Sequence, residues 1–134
     1  QIFADIEAAA QAANPAGLAV ISGFCSGGSW AWRAAASTAM EFAAQVNFYG
    51  SHIPELIDLT PRCPTILHYG DNDFVVPLAE AQNIGARHPQ IEMHIYPGAN
   101  HAFENNDQDS YDANAADLAW ARSIAFLDRL KPRR

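Results

Sequence analysis

Basic side chains are scarce in this sequence. Eight Lys and Arg stand against 15 Asp and Glu, a formal net charge of −7. With no basic patch to neutralise phosphates, the charge argues against a nucleic-acid partner, and none is expected. The one cluster of cations, Lys131, Arg133 and Arg134, falls at the C-terminus and reads as a solvated helix end. Cysteine is scarce too. Cys25 and Cys63 are too few for a disulfide scaffold, and one lies in a Gly-rich turn, the other in a Pro-flanked loop. A reduced, cytoplasmic protein is the expectation. No stretch approaches the roughly 18 unbroken apolar residues of a membrane helix. Residues 1–13 carry Asp5 and Glu7 and lack the basic flank and apolar run of a secretory leader. No membrane partner is expected.

What is present is a globular composition: 49% hydrophobic and 17% charged, with three Trp, seven Phe and four Tyr in 134 residues. One domain with a real core follows from that length and content. Two kinds of apolar segment alternate along it. Phe3–Ala13 is Ala-rich with early acids and predicts a helix, broken by Asn14-Pro15-Ala16-Gly17. Leu18–Phe24 is a short, nearly continuous apolar run, the pattern of a strand buried on both faces. Further strands are predicted at Val46–Tyr49, Thr65–Tyr69 and Ile91–Tyr96, with helices at Trp30–Met40, Leu78–Arg87 and Ala113–Leu130. A short helical turn is placed at Pro54–Ile57. In the last helix, Ala116, Trp120, Ile124, Leu127 and Leu130 recur at spacings of three and four and predict one buried stripe. This alternation implies an α/β fold: a three-layer sandwich around a mainly parallel sheet of about four strands.

In such sheets ligands bind beyond the carboxyl ends of the strands. Cys25, Asp73 and His101 each follow a predicted strand. Gly23-Phe24-Cys25-Ser26-Gly27-Gly28 has the layout of a nucleophile elbow, a sharp strand-to-helix turn that presents one side chain. There Gly23 and Gly27 are expected to remove Cβ atoms that would crowd the turn. The positive end of the following helix favours a thiolate at Cys25, and the Ser26 N–H can supply an oxyanion donor. A small buried cysteine or a phosphate loop would be the plainer explanation, but no G-x-G-x-x-G or Lys-Ser/Thr signature accompanies the turn. Asp73, in GDNDFVVP, could equally cap the next helix, and His101, in YPGANHAF, could be a surface histidine. Their order along the chain (nucleophile, acid, histidine) is that of α/β-hydrolases, and it unites three weak signals. His52, His68, His88 and His94 lack metal-ligand spacing and read as structural or surface residues.

At GFCSGG, GDNDFVVP and YPGANHAF the sequence resembles the dienelactone hydrolase family. Asp5 to Ala9, Phe48-Tyr49-Gly50 and Asp117 to Leu127 also resemble stretches of that family. The resemblance implies a triad of Cys25, Asp73 and His101 that hydrolyses an ester or lactone through an acyl-thiol intermediate, with no metal or organic cofactor. Where family lactonases place an arginine four residues past the histidine, this chain has Asn105, preceded by Glu104. A neutral or differently shaped ester is the expectation from that departure. The family's domain is longer, so the resemblance implies that residues 1–134 form a single, truncated α/β-hydrolase-type domain lacking the N-terminal strands. The edge of the Leu18–Phe24 strand would then be unpaired, and a homo-oligomer through that edge is expected. Two other readings accompany the hydrolase: a catalytically weak or silent module, and a thiol redox protein using Cys25.

Overall fold

A computed structural model describes residues 1–14 and 17–132. Pro15 and Ala16 of the first predicted break, and Arg133 and Arg134 of the basic end, lie outside the described residues. The order of elements is α1 (Ile2–Ala13), β1 (Val20–Phe24), α2 (Ser26–Ala36), β2 (Ala44–Phe48), the short 3₁₀ turn Ile53–Leu56, β3 (Thr65–Gly70), α3 (Leu78–Arg87), β4 (Glu92–Tyr96) and α4 (Ala113–Leu130). The four strands form one parallel sheet in the order β1-β2-β3-β4.

Strand register decides which side chains meet which layer. Phe24 pairs with Phe48, Phe48 with His68, and His68 with His94. These four rings form a row across one face, with centroids 5.0, 4.7 and 5.8 Å apart along it. Helix α4 covers that face. Trp120 packs 4.8 Å from Phe48, and Ser123 meets His68. On the other face Asn47 donates its amide to the Gly28 carbonyl of α2 at 2.7 Å. Trp32 of α2 donates to the Leu56 carbonyl and packs edge-on against His88 at the end of α3. Helices α2 and α3, the sheet, and α4 are therefore the three layers. The main core runs through Trp32, Phe48, Ile66, Leu67, Tyr69, Ile84 and Phe103, all fully buried.

Three expectations need correction. Helix α2 begins at Ser26 and ends at Ala36, four residues earlier at each end than its predicted range, because Ser37 turns to an extended conformation. Met40 instead packs with Ala10, Ala34 and Phe42 in a second, smaller core cluster. Strand β1 is not buried on both faces. It forms one edge of the sheet, with Val20 45% and Phe24 38% exposed. The stripe on α4 is also turned. Ala115, Ala119, Ser123 and Phe126 join Ala116 against the sheet, and Leu127 packs partly on the core. Trp120 lies over Phe24 and Phe48 yet is 40% exposed, and Ile124 and Leu130 remain substantially exposed. Small side chains let α4 sit close enough for the Ser123 hydroxyl to reach His68, a contact that a bulkier stripe would hold apart. The start of α4 is fixed by Asp112, whose carboxylate accepts from the Ala115 N–H at 3.1 Å. Among the described residues no helix is long and apolar enough to cross a membrane.

Candidate active site

The loops that leave the carboxyl ends of all four strands converge on one cleft. Cys25 follows β1 directly and caps α2 with φ 53° and ψ −123°, a left-handed conformation that costs a non-glycine residue roughly 1–3 kcal/mol. The turn is held by the Cys25 N–H donating to the Phe48 carbonyl at 3.1 Å, and by the Cys25 carbonyl accepting from Ser51 at 3.1 Å. Glycine is required at Gly23, where a Cβ would lie 2.2 Å from the Gly27 carbonyl oxygen. It is also required at Gly28, where a Cβ would approach Asn47 Oδ1 to 2.5 Å and Gly50 Cα to 2.8 Å. The expectation for Gly27 is overturned. A Cβ there meets nothing, because Gly27 faces a groove between α1 and the β1 edge and Gly28 faces the sheet.

Cys25 Sγ lies 3.1 Å from His101 Nε2, and His101 Nδ1 lies 2.9 Å from Asp73 Oδ2. The second carboxylate oxygen of Asp73 accepts the Val75 and Val76 N–H groups at 2.7 and 2.8 Å. Asp73 is thus both the histidine's partner and the closing contact of its own turn; it does not cap α3, whose N-cap is Pro77 with no side-chain hydrogen bond. Its partnership with a carboxylate makes His101 Nδ1 the donor, so in the neutral ring Nε2 is an acceptor facing the thiol. His101 and Asp73 are both buried; Cys25 is half-buried and faces the cleft.

Electrostatics follow from this geometry. Burial pushes the Cys25 thiol up, but the His101 hydrogen bond and charge, the Ser26 N–H and the Ser51 hydroxyl outweigh it and leave the thiol below its ordinary value. Burial pulls the His101 imidazole down, yet its bonds to Asp73 and Cys25 leave it above the ordinary histidine value. Burial also opposes ionisation of Asp73, but the His101 bond and the two backbone donors hold its carboxyl below the usual range. The three shifts agree: thiolate, imidazolium and carboxylate stabilise one another. Cys63 goes the other way, its thiol raised by burial despite the Thr65 hydroxyl. The open cleft over Cys25 has a volume of about 570 Å³ and is lined by Phe24, Tyr49, His101, Glu104, Asn105 and Gln108, among others.

Two contributions were missed from sequence. Ser51 donates its N–H to the Cys25 carbonyl at 3.1 Å and its hydroxyl helps lower the Cys25 thiol; the only signal was its position just past the carboxyl end of β2. Tyr49 donates its hydroxyl to Glu104 Oε1 on the cleft wall. Tyr49 (φ 41°) and Ala102 (φ 62°) share the left-handed backbone of Cys25, so all three non-glycine residues with positive φ among the described residues line this cleft. The other histidines serve elsewhere. His68 is fully buried between Tyr96 and Ser123, each at 2.8 Å, and His88 donates to the Ile57 carbonyl at 2.6 Å. His52 is exposed beside Glu55, and His94 pairs with Glu92 at 2.9 Å. Among the described residues no group of three or more His, Cys, Asp or Glu is placed to hold a metal ion.

The comparisons with known proteins run through the same residues. The profile of the dienelactone hydrolase family matches residues 1–131. A carboxymethylenebutenolidase of Pseudomonas putida is 32% identical over 118 residues, covering 84% of this chain and 49% of that protein. A probable 2-oxo-3-(5-oxofuran-2-ylidene)propanoate lactonase of Bradyrhizobium sp. is 31% identical, covering 95% of this chain and 58% of that protein. Among solved structures, a Klebsiella pneumoniae protein assigned as a dienelactone hydrolase superposes with a TM-score of 0.78 at 28% identity, over 96% of this chain and 61% of that one. An α/β-hydrolase from a deep-sea metagenome library shares the fold at a TM-score of 0.69 and 20% identity. The chain spans about half the length of the curated relatives it matches. With a parallel sheet of α/β-hydrolase type and a profile match along nearly its whole length, the chain belongs to the dienelactone hydrolase family.

Proposed function

We propose that Cys25 is the nucleophile of an ester or lactone hydrolase, with His101 as its base and Asp73 as the residue that orients and charges the imidazole. The observation that carries this reading is the unbroken line from sulfur to imidazole to carboxylate, at 3.1 and 2.9 Å. The thiolate attacks the ester carbonyl carbon and forms a C–S bond, and the carbonyl electrons move to oxygen. The Ser26 N–H, at the N-terminus of α2, stabilises that oxyanion. On collapse the C–O bond breaks, and the leaving alkoxide takes the Nε2 proton of the imidazolium. His101 then removes a proton from water, the hydroxide attacks the thioester, and the carboxylic acid leaves as the C–S bond breaks. Relatives named as a carboxymethylenebutenolidase and a lactonase support lactones and esters as the substrate class. A reduced, cytoplasmic setting suits a free nucleophilic thiol, and neither cysteine is bonded.

The test is pre-steady-state hydrolysis of an activated aryl ester by the wild type, Cys25→Ala and His101→Ala. A burst of phenol abolished by either substitution supports the reading, and equal slow release from all three overturns it. A second reading, a weak or silent module that associates through its sheet edge, is favoured by one observation. Strand β1 has no neighbour beyond it among the described residues, and Leu18 and Val20 stand exposed along it.

A further inference from the structure

The cleft wall carries a charge that the Cys25–His101–Asp73 line does not use. Glu104 faces the same space as Cys25 and His101, and neither lysine nor arginine is among the described residues lining it. Its neighbours there, Asn105 and Gln108, are neutral amides, and Asp107 and Asp109 line the adjoining recess beside His101. Glu104 is held in place. Tyr49, itself in left-handed backbone, donates its hydroxyl to Oε1, while its ring packs 4.7 Å from the His101 imidazole. That leaves Oε2 with no hydrogen-bond partner among the described residues. A carboxylate fixed on the wall of a concave cleft acts on a bound ligand more strongly than a mobile surface acid.

We propose that Glu104, oriented by Tyr49, is a specificity-determining residue that selects esters bearing an ammonium group over neutral and anionic ones. The proposal rests on the ester-hydrolase reading of this cleft and names its substrate class. Tyr49 is a positioning residue, since it acts through Glu104.

Two measurements separate the proposal from that reading. The first is the rate at which Cys25 is modified by trimethylammonioethyl, methyl and sulfonatoethyl methanethiosulfonates, followed at the Cys25 peptide by mass spectrometry. The thiolate attacks the reagent's sulfur, an S–S bond forms and methanesulfinate leaves, so no hydrolytic turnover is required. Glu104→Gln, which keeps an acceptor for the Tyr49 hydroxyl, is expected to lower the cation-to-anion rate ratio about tenfold. Glu41→Gln changes the net charge equally but lies just before β2, at the opposite end of the strands, and is expected to shift the ratio less than about twofold. The second is kcat/KM for the thioacetate of choline against its uncharged dimethylbutyl isostere. A preference of about tenfold is expected in the wild type and near parity in Glu104→Gln, with the neutral ester unaffected. Tyr49→Phe is expected to fall between the two. Equal effects of Glu104→Gln and Glu41→Gln overturn the proposal. If neither thioester turns over while modification still sorts by charge, the hydrolase reading fails and the charge filter stands.

Discussion

Cys25 and His101 touch at 3.1 Å although they follow opposite edges of the sheet, β1 and β4, and are 76 residues apart in the chain. The histidine loop reaches back across the carboxyl ends of β3 and β2 to make that contact. It is steadied on the way by Asp71, which accepts from the Gly98 N–H at 2.7 Å, and by Ala99, whose carbonyl accepts from Asn72 at 3.0 Å.

That contact sets the ionisation of the thiol. Despite burial, the Cys25 thiol is lowered and the His101 imidazole raised by their mutual contact, so each favours the charged form of the other. Alkylation of Cys25 by iodoacetamide should therefore rise with pH through a midpoint below 9.0. His101→Ala should move the midpoint upward and slow the reaction at neutral pH by about tenfold or more, since below its midpoint a thiol loses about tenfold in thiolate for each pH unit that the midpoint rises. Cys63, raised by burial, should react more slowly throughout. Equal pH profiles for wild type and His101→Ala would remove the charge pairing.

The three glycines of the elbow should behave differently. Gly23→Ala and Gly28→Ala place a Cβ within 2.2 and 2.5 Å of fixed neighbours and are expected to cost about 2 kcal/mol or more. Gly27→Ala meets open space on a helix and is expected to be neutral or to stabilise by up to about 1 kcal/mol. Urea midpoints of the three variants read the difference.

His68 gives a signed dependence of stability on pH. It is fully buried, and burial, with the nearby His94 and Arg122 charges, holds its value down to about 3. The Ser123 hydroxyl donates to the Ala119 carbonyl, so His68 Nε2 donates to Ser123 and Nδ1 accepts from Tyr96: the ring is neutral. A folded value below the unfolded one means that the unfolded chain takes up the proton first. Stability from this residue is complete above the ordinary 6.5 and falls as pH drops from there to about 3, by about 1.4 kcal/mol per pH unit. His68→Gln should flatten that part of the stability curve, measured by denaturant titration across the interval. An unchanged slope would exclude His68 as its source.

The exposed edge of β1 yields the fourth expectation. A second copy pairing there would cover Leu18, Val20 and the unpaired backbone. Sedimentation at micromolar concentration should give a dimer for the wild type and a monomer for Val20→Lys, and a monomeric wild type discards the pairing.

Much of the fold was legible because its signals are local. Helix α3 spans Leu78–Arg87 and α4 spans Ala113–Leu130, the ranges that periodicity indicates, and β3 and β4 lie within one residue of theirs. The face of α4 was legible only in part: Ala116, Trp120 and Leu127 meet the core or the sheet, and Ile124 and Leu130 do not. Its alanines are as compatible with the core as its large residues, and the choice depends on Ser123 meeting His68 from a different element. The exposure of β1 follows from its lateral position in the sheet, which the apolar run of Leu18–Phe24 does not encode. Cys25, Asp73 and His101 could be picked out by motif and chain order, and the structure brings them together. Ser51 and the Tyr49–Glu104 pair could not, because loop paths rather than spacing create those contacts.

At Gly70 the end of β3 presses against the histidine loop so tightly that a Cβ would lie 2.0 Å from the Ala99 carbonyl oxygen. Main-chain packing at Gly70 therefore joins the Asp71 and Asp73 carboxylates in fixing where the imidazole stands. Residues Glu104 to Asp109 lie outside that close approach, so the lining of the cleft and the seat of the imidazole are set by separate parts of one loop.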